Sequence, residues 1–161
     1  MYDVSFSRVE DTQLLWRCSP VLRAAAKTLN FLAENGPIGL TPNKALKRYF
    51  VEWAAEVFEW PGYGPAELYA VNKVLNEEDF PPLTVLHDLL LAMRLARHYK
   101  GQLVITRVGR SALQELPELW AVLLAGLLFQ TDHGEYMRHH YRFDGDWSMI
   151  LEIINVEAHG R

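Results

Sequence analysis

The chain has 161 residues, the length of one domain, and half of them are apolar and 12% aromatic, which excludes a disordered polypeptide. Its net charge of −4 argues against a protein that coats nucleic acid through overall charge, because that affinity rests on neutralising phosphates. Cys18, the single cysteine, has no internal disulfide partner, which fits a reducing cytoplasm and a small buried apolar side chain.

The first residues, MYDVSFSRVEDTQ, carry acids and no apolar stretch, so they do not read as a signal peptide. The longest apolar run, Leu119 to Phe129, is well short of the roughly 18 residues that a membrane span needs. The expectation is a soluble, cytoplasmic protein with no membrane partner.

In chain order, Ser19 and Pro20 mark a helix start, with Leu22, Ala25, Leu29 and Leu32 on one face and Asn35-Gly36 as its end. A short extended piece, PIGL, follows. Thr41 and Pro42 repeat the start signal and predict a helix running on through Trp60, with Leu46, Phe50, Trp53 and Val57 as its apolar stripe. That reading sets Lys44, Lys47 and Arg48 at the helix N-terminus, against the dipole. PGYGP is a turn, and Pro65 to Leu75 reads as a third helix with Leu68, Val71 and Leu75 inward. NEEDFPP reads as an acidic linker. LTVLHDLLLAM is a fourth helix, with Leu86, Leu89, Leu90 and Met93 on the core face.

Leu95–Tyr99 and Gln102–Thr106 flank Lys100-Gly101, which predicts two strands joined by a two-residue turn. Gly109 breaks the second strand, and Pro117 starts the helix PELWAVLLAGLLF. A polar stretch from Gln130 and a last helix, WSMILEIINVE, complete the chain.

Charge is distributed unevenly along these elements. Residues 1–88 carry a net −4 and residues 115–161 a net −5. Residues 89–114 hold Arg94, Arg97, Lys100, Arg107 and Arg110 with no acid, a net +5 centred on the hairpin RLARHYKGQLVITRVGRSAL. Within it, Leu95, Arg97, Lys100, Gly101, Leu103, Ile105, Thr106, Gly109, Arg110 and Leu113 resemble the wing of bacterial winged-helix regulators. More loosely, GPIGLTPNKALKRYFVEWA together with this hairpin is similar to an uncharacterised bacterial family associated with plasmid and insertion-element passenger reading frames. The resemblance covers Val21 to Phe129.

It implies a mainly α, winged-helix-like domain at about residues 20–116, with one small antiparallel β-hairpin. A C-terminal helical extension at about 117–161 would complete a single domain spanning 1–161. It also implies a DNA-associated regulator or accessory protein that touches double-stranded DNA through Arg94, Arg97, Lys100, Arg107 and Arg110. One departure bears on how DNA would be read. The helix before the wing, LTVLHDLLLAM, is apolar and acidic where base-reading members carry polar and basic residues. A protein–protein interaction module is therefore the alternative.

Other constellations carry less. Asp132, His133, Glu135, His139 and His140, with Asp144 and Asp146, offer metal-type donors, but their spacing fits no metal cage and reads as a solvated loop. Ser111 and Ser148 lack any nucleophile motif, so neither an enzyme nor a cofactor is expected. Trp16, Trp53, Trp60, Trp120 and Trp147 read as core or interface rather than a base-stacking platform. The helix at 117–129 is apolar all round, with Trp120, Leu123, Leu124, Leu127 and Leu128 as its stripe, which predicts a homodimer through it.

Overall fold

The computed structural model describes residues 9–131. The expected helix at WSMILEIINVE and the His-rich stretch lie outside these residues. The described part is mainly helical with a small three-stranded antiparallel sheet.

Helix α1 (Thr12–Cys18) starts where the Asp11 carboxylate accepts the Leu14 N–H at 2.9 Å. The sequence reading missed this helix. Only Leu15 of it is buried, and Cys18 at its end is exposed, not the buried side chain expected. Helix α2 (Pro20–Asn35) begins and ends as its signals predict. The Ser19 hydroxyl accepts the Leu22 N–H, and Gly36 takes φ +86°. Arg23 of α2 is buried, and its guanidinium donates to the carbonyls of Trp16, Arg17 and Glu59. It thereby ties the end of α1 to the segment that follows the third helix.

Strand β1 (Ile38–Gly39) is the extended piece. The next start signal is corrected. Thr41 and Pro42 open a tight turn, not a helix: the Thr41 hydroxyl accepts the Ala45 N–H, and Leu40 pairs with Leu46 across the turn. Helix α3 (Arg48–Val57) begins six residues after Pro42. Lys44 and Lys47 thus lie outside it, and most of the supposed conflict with the dipole disappears. Phe50 and Trp53 of α3 meet Phe31 of α2 and Phe58 in an aromatic cluster with centroids 4.6–6.1 Å apart. Trp53 is a packing residue, as expected.

Helix α4 (Pro65–Val71) is shorter than predicted. Leu68 and Leu75 are buried, but Val71 is 82% exposed, because the helix ends there and Leu75 reaches the core through irregular chain. The supposed acidic linker is part of the core. Glu77–Asp79 forms a 3-10 turn closed by a capping box with Asn76, Phe80 is fully buried, and Glu77 is 5% exposed. Helix α5 (Pro81–Ala92) follows, with Leu83, Leu86, Leu89 and Leu90 buried and Met93 half-buried just beyond it.

Strands β2 (Ala96–Tyr99) and β3 (Gln102–Ile105) form the hairpin. Lys100 and Gly101 take φ +48° and +72°, which matches the turn type whose twist suits a two-residue hairpin. Sheet order is β1-β3-β2, with Ile38 and His98 flanking Leu103, and Arg97 opposite Val104. One face, with Ile38 and Leu103 fully buried, closes the core, while Arg97, Tyr99 and Gln102 face outward.

Helix α6 (Arg107–Ala112) is capped by Thr106. Gly109 does not break the strand but sits inside α6, where a Cβ would lie 2.1 Å from the Leu95 carbonyl oxygen. Helix α7 (Leu116–Phe129) buries Leu119, Leu123 and Gly126. Of the predicted stripe Leu123 is buried, and Trp120 and Leu127 pack partly buried against the core. At Gly126 the Met93 and Leu89 side chains pack within 2.7 Å of where a Cβ would lie.

Candidate functional site

The five cations of the acid-free stretch enter the structure on three elements. Arg94 follows α5, Arg97 lies on β2, Lys100 on the hairpin turn, and Arg107 and Arg110 on α6. All five are exposed, and among the described residues none has an ion-pair partner. Arg94, Arg97 and Arg107 line one cleft of about 670 Å³, floored by Leu91, Ala96, Ile105 and Val108 and walled by His98 and Thr106. Arg97 and Lys100 also lie over the Tyr99 ring at 5.0 and 5.2 Å, a cation–π arrangement. Arg110 lies one turn beyond Arg107 on α6 and does not line the cleft.

The cleft owes its shape to two backbone devices. Helix α5 ends in a Schellman motif: the Leu95 N–H donates to the Leu90 carbonyl and the Arg94 N–H to that of Leu91. Arg94 occupies the left-handed position of this motif at φ +57°, where glycine is the usual residue. The chain accepts roughly 1 kcal/mol of strain there and gains a guanidinium at the cleft edge. At the other edge, Thr106 Oγ1 lies 2.7 Å from the Arg94 carbonyl and 3.0 Å from that of Leu95, and accepts the Gly109 N–H. Hairpin, α5 and α6 are locked around this one hydroxyl.

Behind the cleft lies a polar chain that the sequence reading missed. Glu77 Oε1 is 2.7 Å from His87 Nδ1, and His87 Nε2 is 2.9 Å from His98 Nε2. The second Glu77 oxygen accepts the backbone N–H of Leu46. Glu77 and His87 are about 95% buried, while His98 is half-buried and lines both the arginine cleft and a second one on the other side. That second cleft is lined by Lys44, Glu78, Asp88 and Thr84 among others. Burial above all, then the neighbouring His87 and Lys44, hold His98 below the ordinary imidazole value, against the opposite pull of Glu77 and Asp88. The available signal was one histidine in an otherwise apolar helix, His87, paired with an alternate strand position, His98. Sequence separation hid the acid.

A zinc-type site is not what the two rings form. Their centroids are 5.1 Å apart and their nitrogens 2.9 Å, a difference of about two ring radii, so the rings meet head-on. Two imidazoles sharing a metal would instead be inclined towards it. Among the described residues no three metal-type donors converge.

Fold and site thus define a mainly α domain whose three-stranded sheet carries an exposed cationic hairpin beside an arginine-lined cleft. The chain belongs to the Y4jL N-terminal domain family, whose model matches residues 17–118 and so includes the hairpin and the whole cleft. It is similar to the uncharacterised protein y4jL of Sinorhizobium fredii (strain NBRC 101917 / NGR234), with 38% identity over 144 residues. That match covers 87% of this chain and 64% of the relative, so the chain spans less than two thirds of its length. No solved structure matches the chain. The resemblance to an uncharacterised bacterial family is met at that level. Among the described residues no helix is long and apolar enough to cross a membrane.

Proposed function

We propose that this protein is a DNA-associated regulator or accessory protein that contacts duplex phosphates through its hairpin and the start of α6. The observation that carries the reading is the set of five exposed cations with no ion-pair partner among the described residues. A winged-helix reading is supported by the order α2, β1, helices α3 to α5 and hairpin, with β3 between β1 and β2 in the sheet.

The contact would position the protein without reading sequence. Phosphate contacts fix register, whereas specificity needs side chains on base edges. Helix α5, the counterpart of a recognition helix, buries Leu83, Leu86, His87, Leu89 and Leu90 and exposes Asp88. A dimer through α7 belongs to the same proposal, since two wings on one duplex would add their phosphate contacts. The second reading, a protein-interaction module, rests on Tyr99 and Val108, apolar residues exposed beside the same cations.

Fluorescence anisotropy with a labelled duplex, comparing the chain with its Lys100→Glu, Arg107→Glu double variant, tests the proposal. Both side chains are exposed, so the fold should persist. The variant should lose binding. Undiminished binding would remove the hairpin from the contact, and no binding by either protein would favour the second reading.

A further inference from the structure

The buried chain Glu77–His87–His98 ends at the wall of the arginine cleft, and its proton arrangement follows from its partners. The Leu46 amide can only donate, so Glu77 Oε2 accepts. With Glu77 as a carboxylate and both rings neutral, Oε1 takes the Nδ1–H of His87. This leaves a lone pair on His87 Nε2, which the head-on contact fills with the Nε2–H of His98. In that arrangement one basic atom is left, His98 Nδ1. It has no hydrogen-bond partner among the described residues and is not among their buried unsatisfied atoms, so it reaches solvent.

An added proton at that atom breaks nothing. The Nε2–H of His98 still donates to His87, now as a charge-assisted bond, and Glu77 compensates the charge two rings away. Its cost comes first from burial, then from the neighbouring His87 and Lys44, with Glu77 and Asp88 in opposition. An anion seated among the three arginines would place a negative charge in the cleft that His98 also lines, and so favour the added proton.

We propose that this cleft is a proton-coupled site for a tetrahedral oxyanion of the phosphate type, held by Arg94, Arg97 and Arg107, with His98 gaining one proton at Nδ1 when the anion binds. It rests on the phosphate-contact reading only in using the same arginines. By linkage, whatever the anion does to the affinity of His98 for its proton, the proton does equally to the affinity for the anion. One proton gained means that affinity rises as pH falls, by up to about tenfold per pH unit between the free and bound midpoints of His98.

The two sources of the anion, a DNA phosphate and a free oxyanion, separate in one experiment. The imidazole resonances of His98, identified by their loss in His98→Gln, are titrated by NMR. The conditions are sodium chloride, sodium sulfate at matched ionic strength, and a duplex oligonucleotide. Sulfate serves because it does not itself titrate in this range. The His98 midpoint should rise by about one pH unit in sulfate, the shift an opposite charge within a few ångströms produces. An Arg97→Gln, Arg107→Gln variant, both positions being exposed, should show the same His98 midpoint in sulfate as in chloride. A rise with both sulfate and duplex assigns the cleft to DNA phosphate, and a rise with sulfate alone assigns it to a free oxyanion. Duplex binding with a His98 midpoint unmoved by either ligand would overturn proton coupling and leave the DNA reading intact. A midpoint unmoved by sulfate with no duplex bound would overturn both.

Discussion

The cleft exists only if α6 lies hard against the hairpin, and Gly109→Ala tests that contact. A Cβ at Gly109 would sit 2.1 Å from the Leu95 carbonyl oxygen and 3.0 Å from Ile105 Cγ1. Since carbon and oxygen settle at about 3.3 Å or more, α6 must retreat by more than 1 Å or the carbonyl must turn. The carbonyl is held, because it accepts the Thr106 N–H at 3.1 Å and lies 3.0 Å from the Thr106 hydroxyl. Overpacking of this kind costs about 3 kcal/mol at the upper end of its usual range. Alanine returns about 1 kcal/mol of helix propensity, leaving a net loss of about 2 kcal/mol. For a chain of this size that is a fall in Tm of about 4–8 °C by calorimetry or circular dichroism. A Tm at or above that of the unaltered protein, the result propensity alone would give, would refute the close approach and with it the geometry of the cleft.

Arg94→Gly should do the opposite to stability and remove a cleft cation. Glycine relieves the left-handed position, so Tm should rise by about 2–4 °C while duplex affinity falls, and a lower Tm would show that the arginine side chain stabilises the fold. Acid should destabilise the protein through His98. Its folded value lies below 6.5, so the unfolded chain binds the proton first, and stability is lost as pH falls from 6.5 towards the folded value. Urea midpoints across pH 7 to 5 should show a shallower decline in His98→Gln, and identical slopes would contradict the assignment. Sedimentation at micromolar concentration should give a dimer if α7 pairs between copies, whereas an 18.5 kDa species would refute that pairing.

Local chemistry was legible where it decided the outcome locally. Ser19-Pro20 and Asn35-Gly36 bound α2 because each signal fills or ends a turn of backbone with no help from elsewhere. Lys100-Gly101 likewise specified the hairpin register. The same kind of signal misled at Thr41-Pro42. There the backbone N–H of Leu46 is taken by Glu77, 31 residues away, and Leu40 pairs with Leu46, so long-range bonds divert the segment into a turn. Burial of Glu77 was illegible for a related reason: an acidic run reads as solvated until its buried histidine partner is known. Gly109 looked like a strand breaker because its actual constraint, the Leu95 carbonyl, comes from another element. For the site, the sequence supplied the cations and the structure their grouping: three around a cleft, Lys100 with Arg97 over Tyr99, and Arg110 apart.

The central claim is that exposed cations on the hairpin and α6 contact duplex phosphates. It is tested most directly by the salt dependence of duplex affinity at constant pH. Four or five phosphate contacts release counterions to give a slope of about −4 in log affinity against log salt, with little difference between unrelated sequences. Such a slope, with binding lost in the Lys100→Glu, Arg107→Glu variant, is the predicted result. A duplex affinity independent of salt, or no binding at tens of micromolar protein in low salt, would contradict the account.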